Sequence, residues 1–275
     1  MPDHADCAEA ERAGWSQPER VAAYAALFAP VSDQVIPALV ARSGAGPGRR
    51  VLDLCCGHGN ATEAFLAIGA AVTGLDFSPA MLEAAARRAP GATLVEGDAQ
   101  AMPFADARFD IVACNVGLGH VPDQPRAVAE IARVLAPGGT AVLSSRVEPE
   151  GSPAYQVIFG ALKAHGDRLE AIPPAPDFHL LARAEEAVPL LTGAGLAEVG
   201  FTEVDVAFVL DRPEAFAEGF RRASVRAGLV IAAQGAAAQD AIWRAMHDQL
   251  AERHADGAGR WRVPFPAVVA GAVRP

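Results

Sequence analysis

The sequence has few cysteines, no long hydrophobic run and no cluster of basic residues. Four cysteines in 275 residues are too few and too unevenly spaced for a disulfide framework, which predicts a reducing, cytoplasmic environment. No stretch reaches the roughly 18 consecutive apolar residues of a membrane span. The acidic amino-terminal stretch lacks the apolar core of a signal peptide. We therefore expect neither a membrane span nor a secretion signal.

The charge balance is acidic. The formal net charge is −10, while hydrophobic residues make up 51% and charged residues 20% of the chain. This composition is typical of a globular protein with a sizeable core. Its negative charge repels the phosphates of nucleic acids and of anionic membrane surfaces. We therefore expect no nucleic-acid partner.

The first half of the chain alternates short apolar runs with amphipathic segments. The runs expected to form strands are RVLDL, AVTGLDF, ATLVEGD, FDIVACNVG and TAVLSSR. The segments expected to form helices are NATEAFLAIG, SPAMLEAAARRAPG and QPRAVAEIARVLAPGG. In the last of these, Val128, Ile131 and Leu135 share one face. The alternation predicts an α/β fold with a doubly wound, mostly parallel sheet.

Outside this region the pattern predicts helical and irregular additions within a single catalytic domain. A helix from WSQPERV onward would be capped by Ser16 and have Pro18 in its first turn. The final stretch, WRVPFPAVVAGAVRP, is expected to form an antiparallel strand at the sheet edge. The predicted parts are an amino-terminal helical cap (1–48), a core (49–146), a proline-rich lid (147–182), and the rest of the core (183–275) with a helical insertion near 213–255.

Acidic residues close three consecutive strands of the predicted sheet. Asp53 lies near the end of the first strand, Asp76 ends the second and Asp98 follows the third. Gly57 and Gly59, in the turn after the first strand, let a ligand approach the backbone closely. Ligands of such sheets bind outside the carboxyl ends of the strands. The set suits an adenosine attached to a positively charged group, with Asp76 accepting from the ribose.

A dinucleotide is a weaker interpretation of the same turn. The dinucleotide fingerprint requires a third glycine where this chain has Thr62, and Asp53 would bring negative charge towards a pyrophosphate. A metal or reactive-thiol site at Cys55 and Cys56 is also disfavoured. Adjacent residues of a strand point to opposite faces, and buried cysteine behaves as a small apolar residue. We therefore expect no metal site.

The histidines leave alternatives open. His120 follows the fourth predicted strand, where a substrate would meet the transferred group, and it is the candidate catalytic residue, either as a general base or facing the substrate. The alternative is a hydrogen bond that anchors the loop. His165 and His179 lie in the predicted lid.

In these motifs the sequence resembles the class I S-adenosylmethionine-dependent methyltransferases, in the branch of the ubiquinone and menaquinone C-methyltransferases. The resemblance is carried by VLDLCCGHGN, VTGLDFSPAML, VEGDAQAMPFADARFDIVACNVGLGHVPD and AEIARVLAPGGTAVL, in order between Arg50 and Leu143. It implies a seven-stranded Rossmann-like sheet and S-adenosylmethionine as cofactor. The cofactor-binding residues that it implies are Tyr24, Asp53, Cys55, Gly57, Gly59, Asp76, Phe77, Met81, Asp98, Ala99 and Asn115.

The resemblance also implies an activity. We expect methyl transfer to a small, apolar or aromatic molecule, on carbon or on oxygen, with S-adenosylhomocysteine as the product. The alternatives are an enzyme of the same fold that binds the cofactor without methyl transfer, such as a cyclase or decarboxylase, and a non-catalytic binding protein. The sequence leaves the oligomeric state open.

Overall fold

The computed structural model describes residues 4–168 and 174–275, and its contacts divide the chain into two compact units. The first unit falls within Met1–Val31, Val147–Pro174 and Asp205–Pro266. The second unit falls within Ser32–Arg146, Ala175–Val204 and Ala267–Pro275. The expected lid, 147–182, runs through residues 169–173, which lie outside the described residues.

The described residues contain strands and helices along the whole chain. The strands are β1 (Arg50–Leu54), β2 (Ala71–Asp76), β3 (Thr93–Glu96), β4 (Phe109–Asn115), β5 (Leu135–Arg146), β6 (Ala197–Val204), β7 (Ala207–Leu210), β8 (Trp261–Pro264) and β9 (Ala267–Val273). The helices are α1 (Ala5–Trp15), α2 (Pro18–Leu27), α3 (Ala29–Ser32), α4 (Ile36–Ser43), α5 (Asn60–Ala67), α6 (Pro79–Arg88), α7 (Gln124–Val134), α8 (Pro153–His165), α9 (Ala184–Gly193), α10 (Glu214–Ala223), α11 (Val225–Ala232) and α12 (Ala236–Arg253).

The described part of the second unit is built on a seven-stranded sheet in the order β3-β2-β1-β4-β5-β9-β6. The five strands from β3 to β5 pair in parallel. Strand β9 runs antiparallel to both of its neighbours, β5 and β6. The predicted doubly wound, mostly parallel sheet with an antiparallel last strand is therefore confirmed. The predicted edge position of that strand is wrong, because β6 pairs with its outer side and forms the edge.

The core of the second unit packs helix side chains against this sheet. Val128 and Ile131 of α7 are fully buried together with Leu52, Val112 and Leu143 of the strands. Their spacing of three residues places both α7 side chains on one face, as the sequence predicts. The prediction is wrong for Leu135, which begins β5 because α7 ends at Val134. The same packing holds the carboxyl ends of β1 and β4 side by side, and this arrangement positions the site.

The outer part of this sheet has two irregular features. In β6, Glu198 has a φ of 53°, and the register with β9 shifts between Ala197 and Gly200, which marks a bulge. Gly200 lies opposite Gly271, and the Arg42 guanidinium crosses both, since a Cβ on either glycine would come within 2.5 Å of it. Glycine at both positions therefore allows α4 to pack its arginine against the sheet.

The first unit has an aromatic core of its own. The Phe28 ring packs edge-on against Phe220, with 4.8 Å between ring centroids, and against Phe208, at 5.4 Å. Phe216 and Phe220 are buried, as their helical spacing predicts. Helix α10 packs on α2, α8 packs on α12, and β7 pairs with β8 in an antiparallel ribbon.

Two local details differ from the sequence prediction. Ser16 does not begin α2 but ends α1, where its hydroxyl donates to the Arg12 carbonyl over 2.6 Å. The proline-rich stretch after β5 contains the regular helix α8, which Ser152 caps. A serine beside two helices can serve either end, and proline is tolerated in a first turn.

No single helix in the described part of the chain is long and apolar enough to cross a membrane. A bent pair, Pro18–Leu27 with Ala29–Ser43, meets the same test on length and composition alone.

Candidate cofactor-binding site

The turn after β1 departs from ordinary backbone conformations. Cys55, Gly57 and Gly59 all have left-handed φ values, of 55°, 53° and 85°. This region is unstrained for glycine but costs a residue with a side chain, as at Cys55. Helix α5 then begins at Asn60. The turn therefore presents a stretch of backbone with little side-chain cover at the carboxyl end of β1.

Asp76, at the end of β2, fixes this turn from the neighbouring strand. Its Oδ2 accepts from the Gly57 amide and its Oδ1 from the Ser78 amide, each over 2.9 Å. Burial raises the pKa of this carboxyl, while the two amides and the nearby His120 oppose the rise. The Phe77 amide also donates to this carboxylate. Two carboxylate oxygens have about four lone pairs between them, so the group retains capacity for a hydrogen bond from a ligand.

Asp53 lies beneath the turn. Its side chain is 1% exposed, and its Oδ2 accepts from the Thr62 hydroxyl over 2.5 Å. Burial raises the pKa of Asp53 to about 7, despite this hydrogen bond. Thr62 thus occupies the third-glycine position of a dinucleotide fingerprint with a side chain that binds the acid of β1.

Asp98 is held at the end of the third strand by its neighbour Gln100. The Gln100 backbone amide donates to Asp98 Oδ1 over 2.9 Å, and its side-chain amide donates to the same oxygen over 3.0 Å. Gln100 Oε1 in turn accepts from the Asp123 amide, which precedes α7. Ala99, between the two, is buried. The chain after β3 is thereby tied to the amino terminus of α7.

Asn115 ends β4 and has partners on two sides. Its Oδ1 accepts from the Ser144 hydroxyl over 2.8 Å, and its Nδ2 donates to the Ser32 carbonyl over 3.2 Å. The next residue, Val116, has a φ of 59°, a strained value for a β-branched side chain. Such strain persists only where surrounding contacts hold it, and here Ser144 also accepts the Val116 amide.

His120 lies in the short 3₁₀ helix Leu118–His120, after β4. Its ring packs edge-on against Phe178, with 4.9 Å between the ring centroids. The backbone around Phe178 is anchored by side chains of the core. Ser145 donates to the Phe178 carbonyl over 2.8 Å, and Gln124 donates to the Asp177 carbonyl over 2.8 Å. Both rings are partly exposed, so they form one wall beside the end of β4.

The cysteines of the site are packed as small apolar groups. Cys56 and Cys114 are buried, and a Cβ on Gly74 would lie 2.9 Å from the Cys56 sulfur. A hydrogen bond to Cys114 raises the pKa of Cys55, and burial raises that of Cys56, so both thiols stay protonated at neutral pH. Among the described residues, no group of three or more His, Cys, Asp or Glu side chains is placed to hold a metal ion.

The remaining predicted residues lie on α6 and in the first unit. Met81 is buried in the first turn of α6, Phe77 is partly exposed just before that helix, and Ser78 caps it by accepting the Met81 amide. Tyr24 belongs to the first unit, where its ring packs edge-on against Trp15 at 5.4 Å. The part of Tyr24 in cofactor binding stays a prediction.

The parallel sheet brings the predicted residues of the second unit to one edge. The strands that end at Leu54, Asp76, Glu96 and Asn115 are neighbours in the order β3-β2-β1-β4. At this edge the open turn at Gly57 has room for a ligand, because a Cβ there would have no atom closer than 3.9 Å. The buried Asp76 offers an acceptor for a ribose hydroxyl. These residues therefore fit an adenosine group.

Several residues of the site were missed by sequence reasoning. They are the partners that hold the predicted residues in place: Ser32, Thr62, Arg88, Gln100 and Ser144. Ser32 and Asn115 are 83 residues apart in the sequence. Thr62 was the one partner that the sequence could have indicated, because a hydroxyl-bearing residue stands where the dinucleotide pattern has glycine.

Known proteins resemble part of this chain in sequence. A family model described as a methyltransferase domain matches residues 52–143. A demethylmenaquinone methyltransferase of Renibacterium salmoninarum is 37% identical over 167 residues, which are 58% of this chain and 70% of that protein. The chain spans less than half the length of several other curated relatives that it matches.

Solved structures show the same fold at low sequence identity. The YcgJ protein from Bacillus subtilis superposes with a TM-score of 0.58 at 20% identity, over 87% of this chain and 97% of that one. The [4+2]-cyclase SpnF superposes with a TM-score of 0.56 at 22% identity, over 88% and 81%. Since a cyclase shares it, the fold alone does not decide the reaction, and the sequence match carries the assignment. The chain belongs to the class I S-adenosylmethionine-dependent methyltransferases, of the quinone-methyltransferase type, and its cofactor is S-adenosylmethionine.

Proposed function

We propose that this methyltransferase transfers the methyl group to a small, apolar or aromatic acceptor, and that the acceptor is a ring of the hydroquinone class methylated on carbon or oxygen. The observation that carries the proposal is the 37% identity to a demethylmenaquinone methyltransferase over 70% of that protein's length. The acidic charge of the chain agrees with it, because a charge of −10 disfavours an anionic polymer as acceptor.

The proposal assigns the cofactor to the carboxyl edge of the sheet. The turn at Gly57 and Gly59 would pass the methionine part, with Cys55 and Asn115 beside it. Asp76 would accept from the ribose, because it is buried at the end of β2 and its amide partners leave acceptor capacity for a ligand. Asp53 would support the cofactor-binding turn indirectly, because it accepts a hydrogen bond from the Thr62 hydroxyl beneath it. The adenine would lie among Phe77, Met81, Asp98 and Ala99.

For methyl transfer the protein has to position the acceptor atom and provide a group that accepts a proton. The bound sulfonium supplies an activated methyl group, so the chain must align the acceptor atom and exclude water, which in well-oriented systems accounts for about 7–11 kcal/mol of a barrier. A hydroquinone loses a proton as its ring is methylated. His120, beside Phe178 at the end of β4, is the residue that we propose accepts it.

The test is direct methyl transfer. The full chain is incubated with S-adenosylmethionine and a reduced 1,4-naphthoquinone lacking one ring methyl group, and the products are read by mass spectrometry. The expected result is a gain of one methyl group by the naphthoquinol and an equal amount of S-adenosylhomocysteine. A cofactor that binds but is never converted with any ring acceptor would contradict methyl transfer and favour the cyclase or decarboxylase alternative.

Two histidine variants, one at His120 and one control, separate loss of the proton acceptor from a general effect of removing a histidine. His120→Ala should lower kcat by about a hundredfold or more, because it removes the proposed proton acceptor. Binding of S-adenosylhomocysteine should be unchanged. His247→Ala, on α12 and outside the predicted lid, is the matched control and should leave both unchanged. The closing of residues 147–182 as a lid and the cytoplasmic location stay predictions.

A further inference from the structure

One face of α6 packs along the turn that contains Gly57 and Gly59. Met81, Ala85 and Arg88 are spaced four and three residues apart, so they share one side of the helix. The Met81 sulfur lies 3.9 Å from the place that a Cβ on Gly57 would take. The Ala85 Cα lies 3.0 Å from the corresponding place at Gly59. The third position of this face, Arg88, is the one with a charge.

Arg88 binds the only side chain that stands between the two glycines. Its Nη1 lies 2.7 Å from Nε2 of His58, which is 5% exposed. A guanidinium can only donate, so Nε2 accepts and the ring proton is on Nδ1. Burial and the charge of Arg88 lower the pKa of His58 to about 4, and the ring is therefore neutral at neutral pH.

The same guanidinium is also connected to the end of the turn and to α5. Its Nη2 lies 3.5 Å from Oδ2 of Asp33, while Oδ1 of Asp33 accepts from the Asn60 side chain over 2.7 Å. Its Nε donates to Glu63 of α5 over 2.8 Å. Asn60 is the first residue of α5, so Arg88 is connected to the middle of the turn directly and to its end through Asp33.

We infer that Arg88 is a positioning residue for cofactor binding: from α6 it holds the His58 ring and, through Asp33, the Asn60 side chain, and so fixes the turn between Gly57 and Gly59. The inference rests on the proposed assignment of this turn to the cofactor. An exposed ion pair alone usually contributes little. The contact with the buried His58 ring is what couples Arg88 to the turn backbone.

The test compares binding of S-adenosylhomocysteine to the full chain by calorimetry. Arg88→Ala should weaken binding about tenfold, since it removes a charge-assisted hydrogen bond from the turn. Arg88→Lys, which keeps the charge but has a single donor nitrogen in place of three, should restore part of the affinity. The matched control is Arg87→Ala, because Arg87 is the neighbouring residue and pairs only with the exposed Glu83 among the described contacts, over 2.6 Å. Its affinity should be unchanged.

A pH profile separates positioning from a general loss of structure. Three charged side chains face His58: Arg88 from α6, Glu63 from α5, and Asp33 from the segment before α4. Without Arg88 the two carboxylates favour protonation of the ring. The affinity of Arg88→Ala relative to the unchanged chain should therefore fall further as the pH drops below about 6.5. A variant that is merely less stable, and that circular dichroism shows to be folded across this pH range, would show a constant ratio.

Each outcome decides one point. If the unchanged chain does not bind S-adenosylhomocysteine, the assignment of the turn is wrong. If it binds, Asp76→Ala binds at least about tenfold more weakly and Arg88→Ala binds within about twofold of it, the inference about Arg88 is overturned while the assignment stands. If Arg88→Ala does not fold, His58→Leu leaves both ion pairs of Arg88 in place and carries the same expected loss. His58→Gln, which retains an acceptor, should then recover part of it.

Discussion

The Gly57 amide donates to Oδ2 of Asp76 over 2.9 Å, and this bond ties the turn after β1 to the end of β2. The bond crosses 19 residues of sequence and joins the two features that define the site. Cofactor binding should therefore respond to Asp76 in two ways, through the ribose and through the shape of the turn.

Removal of the Asp76 carboxylate is the first prediction. Asp76→Ala should weaken binding of S-adenosylhomocysteine at least about tenfold, because hydrogen bonds to charged groups contribute about 1.5–3 kcal/mol each. Asp76→Asn should bind S-adenosylhomocysteine no more tightly than Asp76→Ala. Its side-chain NH2 group would face one of the two backbone N–H groups, and two donors cannot form a hydrogen bond with each other. Calorimetry measures both, and Asp106→Asn, an exposed acid paired with Arg133, is the control. Unchanged affinity in a folded Asp76→Ala protein would place the ribose elsewhere.

The buried Asp53 predicts a dependence of stability on pH. The folded state holds its proton up to about pH 7, whereas the unfolded chain releases it near pH 4. Its stabilising contribution is therefore complete below pH 4 and is lost as the pH rises through 7. Asp53→Asn, which can still accept from Thr62, should match the unchanged chain near pH 4 and exceed it at pH 8.

The size of this gain is bounded by the shift. Three pKa units correspond to at most about 4 kcal/mol. Urea unfolding at pH 5 and pH 8 measures it, as the difference in the free energy of unfolding between Asp53→Asn and the unchanged chain at each pH. An equal effect of the substitution at both pH values would contradict the prediction.

A feature of this fold can be predicted from the sequence when it depends on neighbouring residues, and not when it depends on contacts between residues far apart in the chain. The alternation from β1 to β5 is local, because a buried strand and an amphipathic helix each show in a short window. The strand-end acids follow from it. The place of β9 inside the sheet does not, since it depends on pairing with β6, about 70 residues earlier. The partner of Asp53, Thr62, is a contact that only the folded turn reveals.

The cysteines of the turn should affect stability rather than metal binding. Cys56→Ala should lower the free energy of unfolding by roughly 1 kcal/mol, since Cys56 fills the space above Gly74. Neither Cys55→Ala nor Cys56→Ala should abolish binding of S-adenosylhomocysteine. Elemental analysis of the purified chain should find no stoichiometric metal. One metal ion per chain, lost in either variant, would show that the thiols are ligands.

Close packing between the ends of β1 and β4 gives a further prediction. The Cβ that Gly117 lacks would lie 2.5 Å from the Cβ of Cys55. Gly117→Ala should therefore destabilise the fold by about 1–3 kcal/mol, the usual cost of an overpacked core. Gly193→Ala is the matched control, because a Cβ there meets no atom within 4 Å and the residue ends α9. It should be neutral or slightly stabilising in chemical denaturation.

The bulge in β6 bears on how copies of this chain meet one another. An exposed edge strand offers unpaired amides and carbonyls to any other strand, and regular edges are sites of aggregation. Here the edge is interrupted at Glu198, whose left-handed backbone turns the strand out of register, and Glu203 adds a second negative charge further along. A second copy that approached this edge would meet like charges and a broken hydrogen-bonding ladder. Continuation of the sheet from one copy into another across β6 is therefore disfavoured, and fibres built in that way should not form when the folded chain is concentrated.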